Sequence, residues 1–420
     1  NRRPDVEIVV LERSDWTSYS ACGIPYAVGG EVDPIERLQA RTPQQFRDRH
    51  RVDVRMRHEA MAIDLDGRFV EVRAHESERT YRLSFDQILI GTGGSPVRPD
   101  LPGIDRALRA HTLDDAHRLL AELSGDPRTA VVVGGGFIGI EMAEAFVHRG
   151  LRTTLVDSGA QLIRAFDPDM AARIEHTLRD NGVNVVLGAR VSAIDPDSVV
   201  TAAGRLPSDL VVLGVGTAPN SELAADAGLE LGVHGSIVVD RRQQTSAAGV
   251  FAAGDCAQSM HLVSGRPVHL PLGTVANKQS RVAGINLGGG YATFPGVLGT
   301  AIVKVFNREV ARTGLSESEA AAAGFGAVST TIESTTRAGY YPGAEPMAVK
   351  VIAERATGRL LGFQIFGGVG AAKRIDSCAV ALTAGFDAET LLQTDLAYAP
   401  PFSPAWDPVQ VACREVLKLL

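Results

Sequence analysis

The sequence predicts a chain of two characters, an α/β portion on parallel sheets and then a smaller α+β unit on an antiparallel sheet. Three observations carry this reading. The β-branched run 130–133 enters a glycine-rich turn, a helical stretch follows at 140–149, and a second strand comes at 151–156. Further apolar runs at 85–90, 210–215 and 249–253 each end on glycine, as parallel strands do where their carboxyl ends meet a ligand. Residues 284–299 hold six glycines in sixteen positions, a composition shift that marks a boundary before a region of alternating strands.

With 420 residues, 45% of them hydrophobic and 22% charged, the chain can bury large cores in two to three domains. A net charge of -7 without a long basic run argues against nucleic acid or an anionic membrane as the main partner. The most apolar long window, 130–147, carries Glu141 and Glu144 and four glycines, so it does not read as a membrane span. Four cysteines without close pairing suit a reducing cytoplasm, and no metal-ligand spacing is read.

Taken in order, the run 6–11 reads as a parallel strand closed by Glu12. Glu12 is either an ordinary strand-end acid or the ribose ligand of a nucleotide-binding unit. In the second case a strand, a glycine loop and a helix of roughly 20–25 residues are expected to precede Asn1. Cys22 lies between a polar run and Gly23, and the next cysteine is Cys256, so no local dithiol exists. A buried thiol behaves as a small hydrophobe, whereas a thiol before a helix N-terminus is favoured as thiolate; the local sequence leaves both open. The arginine-dense stretch 41–57 reads as a solvated amphipathic helix with Thr42 as N-cap and Pro43 at its first position, and its basic rim would suit an acidic, phosphorylated substrate. Runs at 60–66, 69–73 and 81–83 alternate as a small antiparallel sheet, and the strand 85–90 then meets Gly91-Thr92-Gly93-Gly94.

The segment from Thr129 carries the strongest fingerprint. Gly134, Gly136 and Gly139 complete a G-x-G-x-x-G between strand and helix, and Asp157 ends the next strand. The glycines permit the tight turn and close approach of a pyrophosphate, and the helix N-terminus stabilises its charge. Asp157 would accept from both ribose hydroxyls and repel a 2'-phosphate, and residues 158–160 supply no arginine, so NADH is expected over NADPH. The pattern from 183 to 215 alternates and closes on Gly216-Thr217-Ala218-Pro219-Asn220. Short strands at 237–240 and 249–253 follow, the second meeting Gly254-Asp255-Cys256; Asp255 is the functional candidate there and Cys256 packs. Past the boundary, strands are expected at 301–306, 327–333, 347–353 and 360–366 and helices at 317–322 and 371–384. The proline- and aromatic-rich tail 398–408 is expected to dock on a surface, a partner subunit being one candidate.

The single-cysteine segment, the Thr92 loop, the fingerprint at Gly134, the Gly254-Asp255 loop, the Leu272-Gly273-Thr274 phrase and the Tyr398-Ala-Pro-Pro tail stand here in one order. Together they resemble the flavin-dependent pyridine nucleotide-disulfide oxidoreductases, most of all the single-cysteine coenzyme A disulfide reductases, NADH oxidases and persulfide reductases. The resemblance implies two Rossmann-like dinucleotide-binding domains, for FAD (1–107 and 226–295) and NAD (108–225), plus a C-terminal α+β dimerisation domain (296–420). It implies a homodimer in which NADH reduces FAD, and FAD reduces a low-molecular-weight disulfide or persulfide held on Cys22. It further implies Glu12, Thr92, Gly93, Gly216, Gly254, Asp255 and Thr274 as cofactor contacts and Glu141 as a residue near the nicotinamide. Ser18 and Arg41 become substrate-side residues, and Tyr340 and Tyr398 the groups that reach the partner subunit's cysteine. Trp406 and Ala21 depart from the coenzyme A reductases, which usually carry lysine and in several cases asparagine there. Two rivals share these residues: an NADH oxidase or peroxidase cycling Cys22 through a sulfenate, and a non-catalytic NAD-binding redox-responsive protein.

Overall fold

The computed structural model describes residues 6–420. The chain begins with β1 (Ile8–Glu12), a 3-10 turn over Ala21–Gly23 that holds Cys22, and α1 (Ile24–Gly29). The expected helix over 41–57 is half helix and half strand. Thr42 and Gln45 form a capping box at the start of α2 (Pro43–His50), and Arg51 ends it in the left-handed region. From there Val52-Asp53-Val54-Arg55-Met56 alternates with period two and becomes β2 (Val52–Met56), parallel to β1 from Ile8–Val52 to Glu12–Met56. The small antiparallel sheet is present as β3 (His58–Asp64), β4 (Phe69–Ala74) and β5 (Arg79–Ser84). The strand before the glycine loop is shorter than expected, β6 (Ile88–Ile90), and the loop itself continues into β7 (Gly94–Pro96).

After α3 (Leu113–Leu123) comes the central dinucleotide unit: β8 (Thr129–Val133), α4 (Phe137–His148), β9 (Arg152–Val156), α5 (Pro168–Asp180) and β10 (Asn184–Val186). The alternating stretch then forms a three-stranded antiparallel flap, β11 (Val191–Ile194), β12 (Ser198–Thr201) and β13 (Gly204–Pro207), before β14 (Leu210–Leu213) returns parallel to β8. The order β10-β9-β8-β14 is that of a parallel nucleotide-binding sheet, and all five residues of β8 are buried, as a strand covered on both faces requires. β15 (Thr217–Pro219) pairs antiparallel with β7, so the two glycine loops expected from sequence lie side by side.

Past α6 (Glu222–Asp226), the expected strand 237–240 makes only isolated bridges at Ile237, to Leu231 and Ala257, because the turn at 240–244 claims the Asp240 backbone and side chain. β16 (Val250–Ala252) pairs parallel with β6. The part expected to bind the first nucleotide thus contributes two parallel pairs, β1·β2 and β6·β16. Ile8 and Val10 remain 41% exposed, where a strand covered on both faces would be buried. The hairpin β17 (Ser259–Met260) and β18 (Pro267–Val268) leads to α7 (Gly273–Leu287).

The C-terminal sheet runs β19 (Ala301–Val305), β20 (Arg308–Gly314), then β23, β22 and β21 in space. In sequence α8 (Glu317–Ala323), β21 (Ala327–Thr335), β22 (Pro346–Glu354) and β23 (Leu360–Gly367) follow, and then α9 (Ile375–Ala384), α10 (Ala388–Leu392) and α11 (Pro408–Leu417). Four strands and two helices stand close to where the sequence placed them. β20 was not foreseen: its Arg308, Glu309 and Arg312 break the apolar pattern, although Arg312 is 6% exposed and paired with Glu319. No helix among the described residues is long and apolar enough to cross a membrane.

Candidate active site

Cys22 is the one exposed cysteine; Cys256, Cys378 and Cys413 are each fully buried. Its turn hands directly to α1, whose Pro25 near the first position fixes the helical start and whose Gly30 closes the C-terminus with positive φ. α1 packs on α4, and this contact brings Tyr26 Oη within 3.3 Å of Glu141 Oε1, where it donates a hydrogen bond.

Of the two readings the sequence left open for this thiol, the geometry does not favour the thiolate. Burial of the sulfur raises the Cys22 pKa, and the nearby carboxylates of Glu141 and Asp255 raise it further. The short helix does not outweigh burial together with the two acids. Glu141 in turn is pushed up to about 7, first by burial and then by Glu144, against the opposing pulls of the Tyr26 hydrogen bond and Lys304. Cys22, Glu141 and Asp255 thus form one electrostatic group, drawn from residues far apart in sequence.

Around them stand the glycine loops. Thr92 Oγ1 donates to the Asn220 carbonyl, and Asn220 Nδ2 donates back to Thr92 O at 2.9 Å. Added Cβ atoms at Gly91, Gly93 and Gly216 would meet only open space, so this bare backbone is open to close approach by another group. Gly254 donates its N–H to Gln279 Oε1 at 2.9 Å. The Asp255 carboxylate is partly buried and has no hydrogen-bond partner among the described residues; burial raises its pKa, opposed by His111 and His269. A desolvated acceptor without a donor, facing the glycine loops, fits the hydroxyl-bearing chain of FAD. α7 begins beside it with Gly273 and Thr274 exposed and with no side chain capping its first amides. Glu12 closes β1 and accepts from Ser14 N at 2.7 Å.

The glycine turn between β8 and α4 has the geometry expected from the sequence. Gly134 lies at φ +105°, and a Cβ there would run into the Gly214 carbonyl, so only glycine serves. No side chain caps α4, and its first amides are free for a pyrophosphate. Asp157 accepts from Gly135 N at 2.7 Å and Gly159 N at 2.6 Å, which fixes both carboxylate oxygens at the end of β9. The sequence reading looked for arginine only at 158–160. The loop instead folds Arg164 back to 3.6 Å from Asp157 Oδ1, its side chain 72% exposed.

Ser18, at φ 49°, accepts from the backbone N–H groups of Ala40 and Arg41, so the two expected substrate-side residues are neighbours, both exposed. Tyr340 and Tyr398 also come together, on the C-terminal unit, 78% and 50% exposed, and the neighbouring Tyr398 hydroxyl raises the pKa of Tyr340. No hydrogen bond among the described residues joins this pair to Cys22 of the same chain. Glu31, Glu144 and His148 bring ligand atoms within 4.8 Å of one another, but the cation at their centre is Lys304, which donates to Glu144 Oε1 and lies 3.5 Å from Glu31 Oε1.

Tyr26, Glu144, Lys304 and Arg164 were not foreseen as site residues. A lone lysine in the apolar strand 301–306 and two acids three apart in an apolar helix were the available signals.

Residues 1–276 match the family model described as pyridine nucleotide-disulphide oxidoreductase, and residues 300–409 match that family's dimerisation domain. The chain belongs to this family. It is 38% identical to the NAD(P)H sulfur oxidoreductase (CoA-dependent) of Pyrococcus abyssi, over 99% of this chain and 93% of that one. Among solved structures, the NAD-dependent persulfide reductase from A. fulgidus superposes with a TM-score of 0.97 at 37% identity, covering all of this chain and 80% of that one. The reduced CoADR-RHD of Bacillus anthracis gives 0.97 at 32%, covering 100% and 77%. This oxidoreductase is an FAD-dependent enzyme that takes electrons from NAD(P)H.

Proposed function

We propose that the enzyme reduces coenzyme A disulfide, or a related low-molecular-weight disulfide or persulfide, with Cys22 as its sole redox thiol. The observation that carries this is the isolation of one exposed cysteine beside Glu141 and Asp255 while the other three are fully buried. The Pyrococcus and A. fulgidus relatives, one CoA-dependent and the other a persulfide reductase, support the substrate class. When bound, FAD would supply two-electron transfer between NADH and the disulfide. Glu12, Thr92, Gly93, Gly216, Asp255 and Thr274 would hold it, and Gly134, Gly136, Gly139 and Asp157 would hold NADH. Cys22 attacks the substrate disulfide as thiolate, forms a mixed disulfide and releases one thiol. Ser18 and Arg41 orient the acidic substrate, and Tyr340 and Tyr398 of one subunit position and protonate at the partner subunit's cysteine. The enzyme works as a cytoplasmic homodimer, its FAD-binding domain split over 1–107 and 226–295 around the NAD-binding domain at 108–225, with dimerisation through 296–420. Steady-state turnover against coenzyme A disulfide, a persulfide and oxygen tests the reading: the first two should dominate, and oxygen as the best acceptor would replace it with a sulfenate-cycling NADH oxidase.

Nucleotide choice follows from the Asp157–Arg164 pair. NADH binds more tightly because Asp157 meets the 2'-hydroxyl, but Arg164 stands ready to swing onto a 2'-phosphate. Asp157→Ala should bring the dissociation constants for NADH and NADPH together, and Arg164→Ala should widen the gap, both read by quenching of protein fluorescence. Tighter NADPH binding by the unmodified enzyme would sink the assignment.

A further inference from the structure

Tyr340 and Tyr398 are surface residues, and core packing does not fix their side chains, so their placement depends on the backbone beneath them. Tyr340 lies in the loop between β21 and β22. That loop is closed at its base, where Thr336 N donates to Glu345 O at 2.9 Å and Glu345 N donates to Thr336 Oγ1 at 3.2 Å. Tyr398 stands directly before a turn in which Phe402 N and Ser403 N both donate to the Ala399 carbonyl, at 2.9 and 3.1 Å. A backbone bond joins loop to turn, from Ala338 N to Pro400 O at 3.1 Å, and the Tyr398 hydroxyl is near enough to raise the pKa of Tyr340.

Arg374 fastens the same two segments from below. It sits in the 3-10 turn Ala372–Arg374 ahead of α9, and β20 sets the position of that turn. Glu309 of β20 accepts from Gly370 N at 3.0 Å and from Ala372 N at 2.9 Å, while Ala371 and Ala372 are fully buried. From there the arginine side chain, 11% exposed, reaches between loop and turn. An arginine carries five N–H donors in a rigid planar fork, and here Nη2 donates to Thr336 O at 2.7 Å and to Phe402 O at 2.8 Å, Nη1 to Gly370 O at 2.6 Å, and Nε to Asp407 Oδ2 at 3.1 Å. Asp407 secures the rest of the tail, its Oδ1 accepting from Val409 N at 2.9 Å at the start of α11 and its Oδ2 from Ser403 Oγ at 3.2 Å. One guanidinium thus ties the base of the Tyr340 loop and the turn after Tyr398 to the same point.

We propose that Arg374 is a positioning residue for disulfide reduction, holding the Tyr340 loop and the Tyr398 turn in one register so that the two hydroxyls meet the partner subunit's cysteine together. The inference rests on the tyrosine role in the proposed function and adds to it the group that sets the tyrosines' geometry. Precision matters there, because a reacting group displaced by about 1 Å loses on the order of a hundredfold in rate. The residue type matters too: a planar fork holds three carbonyls at fixed angles, whereas a lysine ammonium is a point donor on a flexible stem.

The test uses the dimeric holoenzyme with NADH and coenzyme A disulfide. Arg374→Lys keeps a positive charge beside Asp407 but cannot serve three carbonyls, so kcat should fall by about tenfold to a hundredfold while KM for NADH holds within about twofold. Reduction of a small quinone by NADH, which bypasses Cys22 and both tyrosines, should stay at the parent rate. Asp407→Asn keeps an acceptor for Val409 N and loosens the guanidinium, and should give a smaller loss of the same kind. The deciding measurement is a mutant cycle. Tyr340→Phe/Tyr398→Phe should itself be slowed by about a hundredfold or more, and adding Arg374→Lys to it should change kcat by less than about twofold, because no hydroxyl remains to be placed. A merely structural arginine would lower turnover equally with and without the tyrosines. Parent-like turnover by Arg374→Lys, an undiminished effect of that variant in the absence of both hydroxyls, or its loss of quinone reduction or of the dimer overturns the proposal. Parent-like turnover by Tyr340→Phe/Tyr398→Phe would instead overturn the tyrosine role beneath it, so the two failures are separable.

Discussion

Cys22→Ser should retain bound FAD, seen as an unchanged yellow absorbance, and lose disulfide reduction by at least about a thousandfold, the scale on which removal of a reacting nucleophile acts. Serine nearly reproduces the volume of cysteine, and Cys22 makes no core contact that a hydroxyl would break, since the residue is exposed. A serine hydroxyl, however, neither ionises near neutral pH nor forms a mixed disulfide. None of the remaining thiols can substitute. Cys256 is fully buried, with its sulfur directed at the carbonyls of Ile90 and Ala253, and Cys378 and Cys413 are buried in the C-terminal core with pKa values raised by burial. The measurement is NADH oxidation with coenzyme A disulfide alongside the flavin spectrum; a variant that turns over within tenfold of the parent would remove Cys22 from the mechanism.

The raised Cys22 pKa gives that experiment a second use. Burial first, and then the charges of Glu141 and Asp255, disfavour the thiolate of Cys22. Relief of either acid should act in the same direction: Glu141→Gln lowers the thiol pKa because it removes the larger of the two charge effects.

How much of this was legible in the sequence depends on the range of the interaction that decides each feature. The nucleotide fingerprint was readable because Gly134, Gly136, Gly139 and Asp157 act through local geometry within a single strand-helix-strand unit. The Thr42 cap was readable for the same reason, but the end of α2 was not, because Arg51 takes the left-handed conformation without a glycine to announce it. β20 escaped because its charged Arg312 is neutralised by Glu319 and by the Ala165 and Gly314 carbonyls, partners that exist only in three dimensions. Glu144 and Lys304 are 160 residues apart, and Arg164 reaches Asp157 through a loop whose path no periodicity encodes. The sequence left the Cys22 thiol open for the same cause: the helix after it was visible, whereas the burial and the two acids that raise its pKa were not.

The largest stability effect should come from Lys350, which joins the nucleotide-binding part to the C-terminal sheet. Its side chain is 6% exposed on β22, and its ammonium lies 3.4 Å from Asp167, 2.7 Å from Asp169 and 3.0 Å from Glu317. Asp169 and Glu317 are 43% and 46% exposed, so water can screen them when the lysine is gone. Asp167 is 3% exposed and has no such recourse. Burial already raises its pKa against the pull of Lys350, and its remaining partners are the Glu317 N–H at 3.0 Å and Gln364 Nε2 at 2.7 Å. Lys350→Met, which keeps the buried volume but leaves Asp167 without a countercharge, should cost about 3–5 kcal/mol and lower the thermal midpoint of the holoenzyme by on the order of 10 °C. Adding Asp167→Asn should return part of the loss, because the uncompensated charge, and not the missing contact, is what destabilises. Differential scanning calorimetry of the single and double variants decides the matter: a negligible single effect, or a double variant less stable than the single, would show that the joint between the two parts rests on its apolar contacts and not on this lysine.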